Sequence, residues 1–144
     1  MTDTRSNKVY LTRDKNNPTC VSRVLRQRRD FLFVQHKGAR HVTAHFILQA
    51  VVQPPSVVAK LTSCYRTGVT ASKKVGNAVA RNRAKRRMRA LFRHLEPSQA
   101  PFGTDYVLVA RHSLVQAAWS ELSTDFFTAA KRIHKKLNEA GFQE

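Results

Sequence analysis

Between residues 41 and 52 apolar side chains recur at every second position: Val42, Ala44, Phe46, Leu48, Ala50 and Val52 share one face. His41, Thr43, His45 and Gln49 fall on the other, together with Ile47 and Val51. Alternation with period two predicts a single half-buried strand with a polar open face, stopped by Pro54-Pro55. A second strand is expected over residues 61–71, LTSCYRTGVTA, and the nearly all-apolar DYVLVA at 105–110 reads as an interior strand.

Elsewhere the period is that of a helix. Residues 22–36 carry Val24, Leu25, Leu32 and the Phe31/Phe33/Val34 cluster, with Gly38 placed to end a short helix. A longer helix begins near Gly76-Asn77, with Asn77 as its cap, and ends before Pro97. In the last helix, about 120–140, Trp119, Leu122, Phe126, Ala130, Ile133 and Leu137 define one stripe to lay on a sheet. Residues 1–20 show no period and contain Asn16-Asn17-Pro18, which predicts a flexible tail ahead of one domain at 21–144. The expected class is α+β, a small sheet with about three helices.

Charge changes this picture more than composition does. The 144 residues hold 26 Lys and Arg against nine Asp and Glu, a net charge of +17. Residues 31–95 carry thirteen of the basic residues and no acid, whereas residues 96–144 carry five basic and six acidic ones. Such segregation points to a polyanionic partner. Cys20 and Cys64 have no metal-ligand spacing and are expected to be free thiols in a reducing compartment. No run approaches the ~18–20 apolar residues of a membrane span, and no apolar signal core opens the chain. The expected location is the cytoplasm.

The charge peaks at RNRAKRRMRALFR, residues 81–93, with six Arg and one Lys. At 100° per residue, Arg81, Lys85, Arg89 and Arg93 fall within about 120° of one another, flanked by Asn82 and Arg86. Ala80, Ala84, Met88, Leu91 and Leu95 make an apolar stripe, and Arg83 and Arg87 a second basic ridge. A solvated surface helix normally mixes signs, because like pairs at i,i+4 cost a few tenths of a kcal/mol. Here Arg81/Lys85, Lys85/Arg89, Arg89/Arg93 and Arg83/Arg87 are all like pairs. Counterion release on binding phosphate recovers more than that cost, and the guanidinium fork favours structured RNA.

The stretch RTGVTASKKVGNAVARNRAKRRMRALFR, residues 66–93, resembles the signature of the bacterial ribonuclease P protein subunit: a Ser-Lys-Lys turn, Gly-Asn-Ala-Val, then an Arg-Asn-Arg helix. LRQRRDFLFVQHKG before it and DYVLVAR after it are similar to flanking family elements, so the likeness spans roughly residues 22–140. The resemblance implies a mostly antiparallel central sheet with a left-handed βαβ crossover through the basic helix, similar to the fold of a ribosomal protein domain. It implies that an RNA subunit removes the 5′ leader of precursor tRNA using Mg²⁺. The protein, a monomer in a 1:1 ribonucleoprotein, would bind that RNA and the leader. Matched by position, Arg81, Asn82, Arg83, Lys85, Arg86 and Arg89 would contact the RNA subunit. Phe31, Arg66, Ser72, Lys73, Lys74, His45, Ile47 and Gln49 would contact the leader or precursor tRNA. Gln35 and Gln49 stand where relatives present aromatics, so stacking on the leader is either weaker or supplied by Phe33.

A protein nuclease would gather carboxylates or pair histidines. The basic region has no carboxylate, and His36, His41, His45, His94, His112 and His134 are scattered. His41 and His45, four residues apart on a strand, would lie ~13 Å apart, too far for one metal. No catalytic residue and no protein-bound metal is therefore expected. The basic patch Lys131, Arg132, Lys135 and Lys136 reads as a solvated face, and Trp119 with Phe126/Phe127 as core. A structural ribosomal or assembly protein that binds RNA without processing it is the competing reading.

Overall fold

The alternation over residues 46–52 survives in the computed structural model, which describes residues 9–11, 21–54, 65–95 and 103–139. In chain order the elements are β1 (Val9–Leu11), β2 (Val21–Val24), α1 (Arg28–Lys37), β3 (Ala39–Val42), β4 (Phe46–Val52) and β5 (Tyr65–Thr70). A 3₁₀ turn (Lys73–Val75) leads into α2 (Ala78–Phe92), then β6 (Thr104–Ala110), a second 3₁₀ turn (His112–Val115) and α3 (Trp119–Glu139). The six strands lie in the order β1-β2-β5-β6-β4-β3. β5 and β6 are parallel neighbours joined through α2, β2 is parallel to β5, and the other pairs are antiparallel.

Each face of the sheet buries one side of its alternating residues. Phe46, Leu48 and Ala50 of β4 and Tyr106 and Leu108 of β6 pack against Ala84, Met88 and Leu91 of α2 and Leu122, Phe126, Ile133 and Leu137 of α3. On the opposite face Val51 and Val107 join Leu25 and Val34 in a smaller cluster, with Phe31, Phe33 and Val109 against it. β6 is central, as expected of DYVLVA, yet its Asp105 is wholly buried. No helix among the described residues is long and apolar enough to cross a membrane.

Three expectations need correcting. The first helix starts at Arg28, not near residue 22, because Ser22–Val24 pair with β5. Gln27 gives the helix no side-chain cap, so the sequence carried no strong start signal. Gly38 does end the helix, but at φ −91° and ψ 169° it is extended, not left-handed. A Cβ there would sit 2.5 Å from the Ala50 carbonyl oxygen, so close approach to β4 requires the glycine.

The strand expected over 41–52 is instead a hairpin. The Thr43 hydroxyl accepts hydrogen bonds from the His45 and Phe46 amides at 3.3 and 3.0 Å, and the Thr43 amide donates to the Phe46 carbonyl at 2.8 Å. No Gly, Pro or Asn marks the turn, which is why alternation ran through it unnoticed. Residues 61–64, Cys20 and Cys64 lie outside the described residues. Of the expected tail at 1–20, Val9–Leu11 form a strand on β2 and the rest is likewise outside.

Candidate nucleic-acid interface

The basic helix is built as its sequence suggests. Asn77 caps α2, its side chain accepting from the Ala80 amide at 2.9 Å. Ahead of it Gly76 has φ +147°, a conformation L side chains rarely adopt. Ala84, Met88, Leu91 and Phe92 are buried, which fixes the helix by one side. Asn82, Arg83, Arg86, Arg89 and Arg93 are exposed, and Arg81 and Lys85 are half-buried. Arg81 donates to the Gly76 carbonyl at 3.1 Å, which steadies the α2 entry. Among the described residues, none of these cations pairs with a carboxylate.

Arg87 departs from the expected second ridge. Its guanidinium turns inward, donating to the carbonyls of Leu114 and Val115 at 2.8 and 2.7 Å and of Ala117 at 2.7 Å. It also lies 5.9 Å from the centroid of the Trp119 ring. Arg87 therefore ties α2 to the turn before α3. Trp119, expected in the core, is 39% exposed, and Phe127 is 61% exposed; only Phe126 of that trio is buried.

Upstream, Ser72 caps the first 3₁₀ turn, accepting from the Lys74 amide at 3.3 Å, and Lys73 and Lys74 are exposed beside it. These lysines continue the positive surface towards the α2 N-terminus, where backbone N–H groups also favour anions.

The expected leader contacts divide. Phe31 lies over β5, so close to Gly68 that an added Cβ would be 2.5 Å from its ring. Ile47 is half-buried on the same sheet face as Val51. The three remaining residues are engaged otherwise. Gln49 is 8% exposed and belongs to the interior. Arg66 donates from Nε and Nη2 to Asp105 at 2.9 and 2.7 Å and lies 3.8 Å from Asp30. Burial pushes the Asp105 carboxyl above its ordinary value, and hydrogen bonds from Arg66 and Gln53 pull it back. The Arg66 charge is thus spent inside the protein.

His45 sits in the β3–β4 turn rather than on a strand face. Its Nδ1 is 2.7 Å from the Ser113 hydroxyl and its Nε2 2.9 Å from Glu121. Ligating atoms of His45, Glu121 and Asp125 lie within 4.8 Å of one another, a grouping that their separation in sequence hid. On α3, Lys131, Arg132, Lys135 and Lys136 are exposed and border an open groove with His41 and Phe127, while Lys136 donates to the Arg40 carbonyl at 2.9 Å.

The ribonuclease P family model matches residues 21–134. The chain is 38% identical over 109 residues to the ribonuclease P protein component of Paramagnetospirillum magneticum, covering 76% of this chain and 80% of that one. It is 38% identical over 112 residues to the same component of Ruegeria pomeroyi, covering 77% and 86%. Among solved structures, the RNase P protein of Thermotoga maritima superposes with a TM-score of 0.60 at 26% identity, covering 76% of this chain and 96% of that one. The Staphylococcus aureus RNase P protein shares the fold, with a TM-score of 0.61 at 23% identity over 76% and 93%. With the Arg-Asn-Arg helix standing open on a sheet of matching topology, the chain belongs to the ribonuclease P protein family, the protein component of that endoribonuclease.

Proposed function

We propose that the outer side of α2 is the surface that docks the RNA subunit, and that this protein helps the RNA remove the 5′ leader from precursor tRNA. The observation that carries this reading is the row of exposed cations at Arg83, Arg86 and Arg89, with half-buried Arg81 and Lys85 beside them, unpaired with any carboxylate among the described residues. Arginine forks engage phosphate oxygens in pairs, and each neutralised phosphate releases counterions. Asn82 adds an uncharged donor and acceptor to the same surface.

The leader then runs over the sheet face beside α1, past Phe31 and Ile47, towards Ser72, Lys73 and Lys74. The Phe31 ring supplies a stacking surface, and the lysines hold the backbone. His45, Gln49 and Arg66 have no part in this path, since each is committed within the fold. The basic region 31–95 contains no carboxylate, so it offers no acidic ligand or base for hydrolysis. Bond cleavage and its Mg²⁺ belong to the RNA, and the work is cytoplasmic.

The experiment is reconstitution. The purified chain, mixed with a bacterial ribonuclease P RNA, should raise cleavage of precursor tRNA at low Mg²⁺ well above RNA alone. Equal rates with and without protein would overturn the proposal and leave an RNA-binding protein without a processing role.

A further inference from the structure

The corner where the β3–β4 turn meets the start of α3 brings together one imidazole nitrogen and two carboxylates from distant parts of the chain. Ser113 has one hydroxyl proton, which can go to the Ala44 carbonyl at 3.2 Å or to His45 Nδ1 at 2.7 Å. In the first arrangement the Ser113 oxygen accepts from His45, and Nδ1 carries the ring hydrogen. In a neutral imidazole the lone pair is left on Nε2, which faces Glu121 Oε2 at 2.9 Å. Two acceptors so placed repel unless positive charge lies between them.

A second ring proton would answer for the pair, but Asp125 brings a third ligand atom to the same point, all within 4.8 Å. The chain has only nine acids among 26 basic residues. Two of them converge here on a histidine, and among the described residues neither forms an ion pair with Lys or Arg. The Ser113 contact has the form found behind metal-bound histidines, where an outer partner takes the distal N–H and aims the other nitrogen.

We propose that His45, Glu121 and Asp125 form a site for a first-row transition dication of the Zn²⁺ class. One imidazole nitrogen and two carboxylate oxygens suit such an ion better than Mg²⁺, which prefers an all-oxygen shell. Bonds of ~2.1 Å in a tetrahedron put ligands about 3.4 Å apart, and rotation of the exposed Glu121 side chain closes the present spread. The fourth position takes water. The bound ion fastens the hairpin turn to α3. Through Ser113 it also bears on the 3₁₀ turn whose Leu114 and Val115 carbonyls hold Arg87 of the basic helix.

The test uses the free, metal-stripped full chain, so its result is independent of any role with RNA. Zn²⁺ titrated into the ¹⁵N-labelled protein should shift His45 Nε2 saturably at one equivalent. Glu121→Gln and Asp125→Asn, checked for unchanged circular dichroism, should each weaken that uptake at least tenfold. Mg²⁺ should bind at least a hundredfold more weakly. A His45 resonance that does not move with Zn²⁺, affinities unchanged in both variants, or equal affinity for Mg²⁺ would each overturn the proposal.

Discussion

Arg66 shows how far one side chain's neighbours can redirect it. Its sequence position beside the basic signature suggests a nucleic-acid contact, yet it neutralises Asp105, whose side chain is fully buried. Removing it leaves a buried carboxylate facing Gln53 and the like-charged Asp30, so Arg66→Ala should cost about 3 kcal/mol in chemical denaturation. Nothing in the sequence could reveal this, because Asp105 comes from a strand 39 residues away. At Gly68 the structure shows why a side chain is excluded: an added Cβ would lie 2.5 Å from the Phe31 ring. His134 offers a pH test. It is 3% exposed, shares a 2.7 Å hydrogen bond with the Tyr106 hydroxyl, and burial lowers its pKa to about 4 from 6.5. The unfolded chain takes up a proton as pH falls through 6.5, and the folded protein does so only near 4. Stability from neutral His134 is thus complete above 6.5, and about 3 kcal/mol of it is lost by pH 4. Thermal melts across that window should show the loss, and His134→Gln should flatten it.

At the scale of elements, α2 was the most legible, because cap, apolar stripe and charge all point the same way. Asn77→Ala should remove the cap and cost about 1 kcal/mol in urea unfolding. The short β2 and the β3–β4 turn were not legible. β2 is defined by pairing with β5, a distant partner, and the turn is closed by a threonine hydroxyl. The same limit applies to α2 itself. A helical wheel places Arg83 and Arg87 on one ridge, but only the tertiary neighbours show that Arg87 reaches three carbonyls. Arg87→Ala should therefore lower the melting temperature, whereas a triple Arg83/Arg86/Arg89→Ala variant should melt as the parent does and lose RNA affinity.

For the molecule as a whole, the segregation of charge carried the functional class before any fold was known. The α+β class followed from the periods of the strands and the helices. The strand order did not, since it depends on β2 and on which edges meet. A surface that works through phosphate has a measurable signature in salt. Replacing Arg83, Arg86 and Arg89 should flatten the slope of log affinity against log salt by about two to three, near one for each phosphate released. An unchanged slope would mean that those side chains face water in the complex.

The inward fork of Arg87 has a consequence for redesign. The exposed Arg83, Arg86, Arg89 and Arg93 can be recoded to suit a different ribozyme while the scaffold stays in place. Arg87 is joinery. A lysine there keeps the formal charge but lacks the planar fork that spans three oxygens. An engineered library that varies the whole helix should therefore hold that codon fixed.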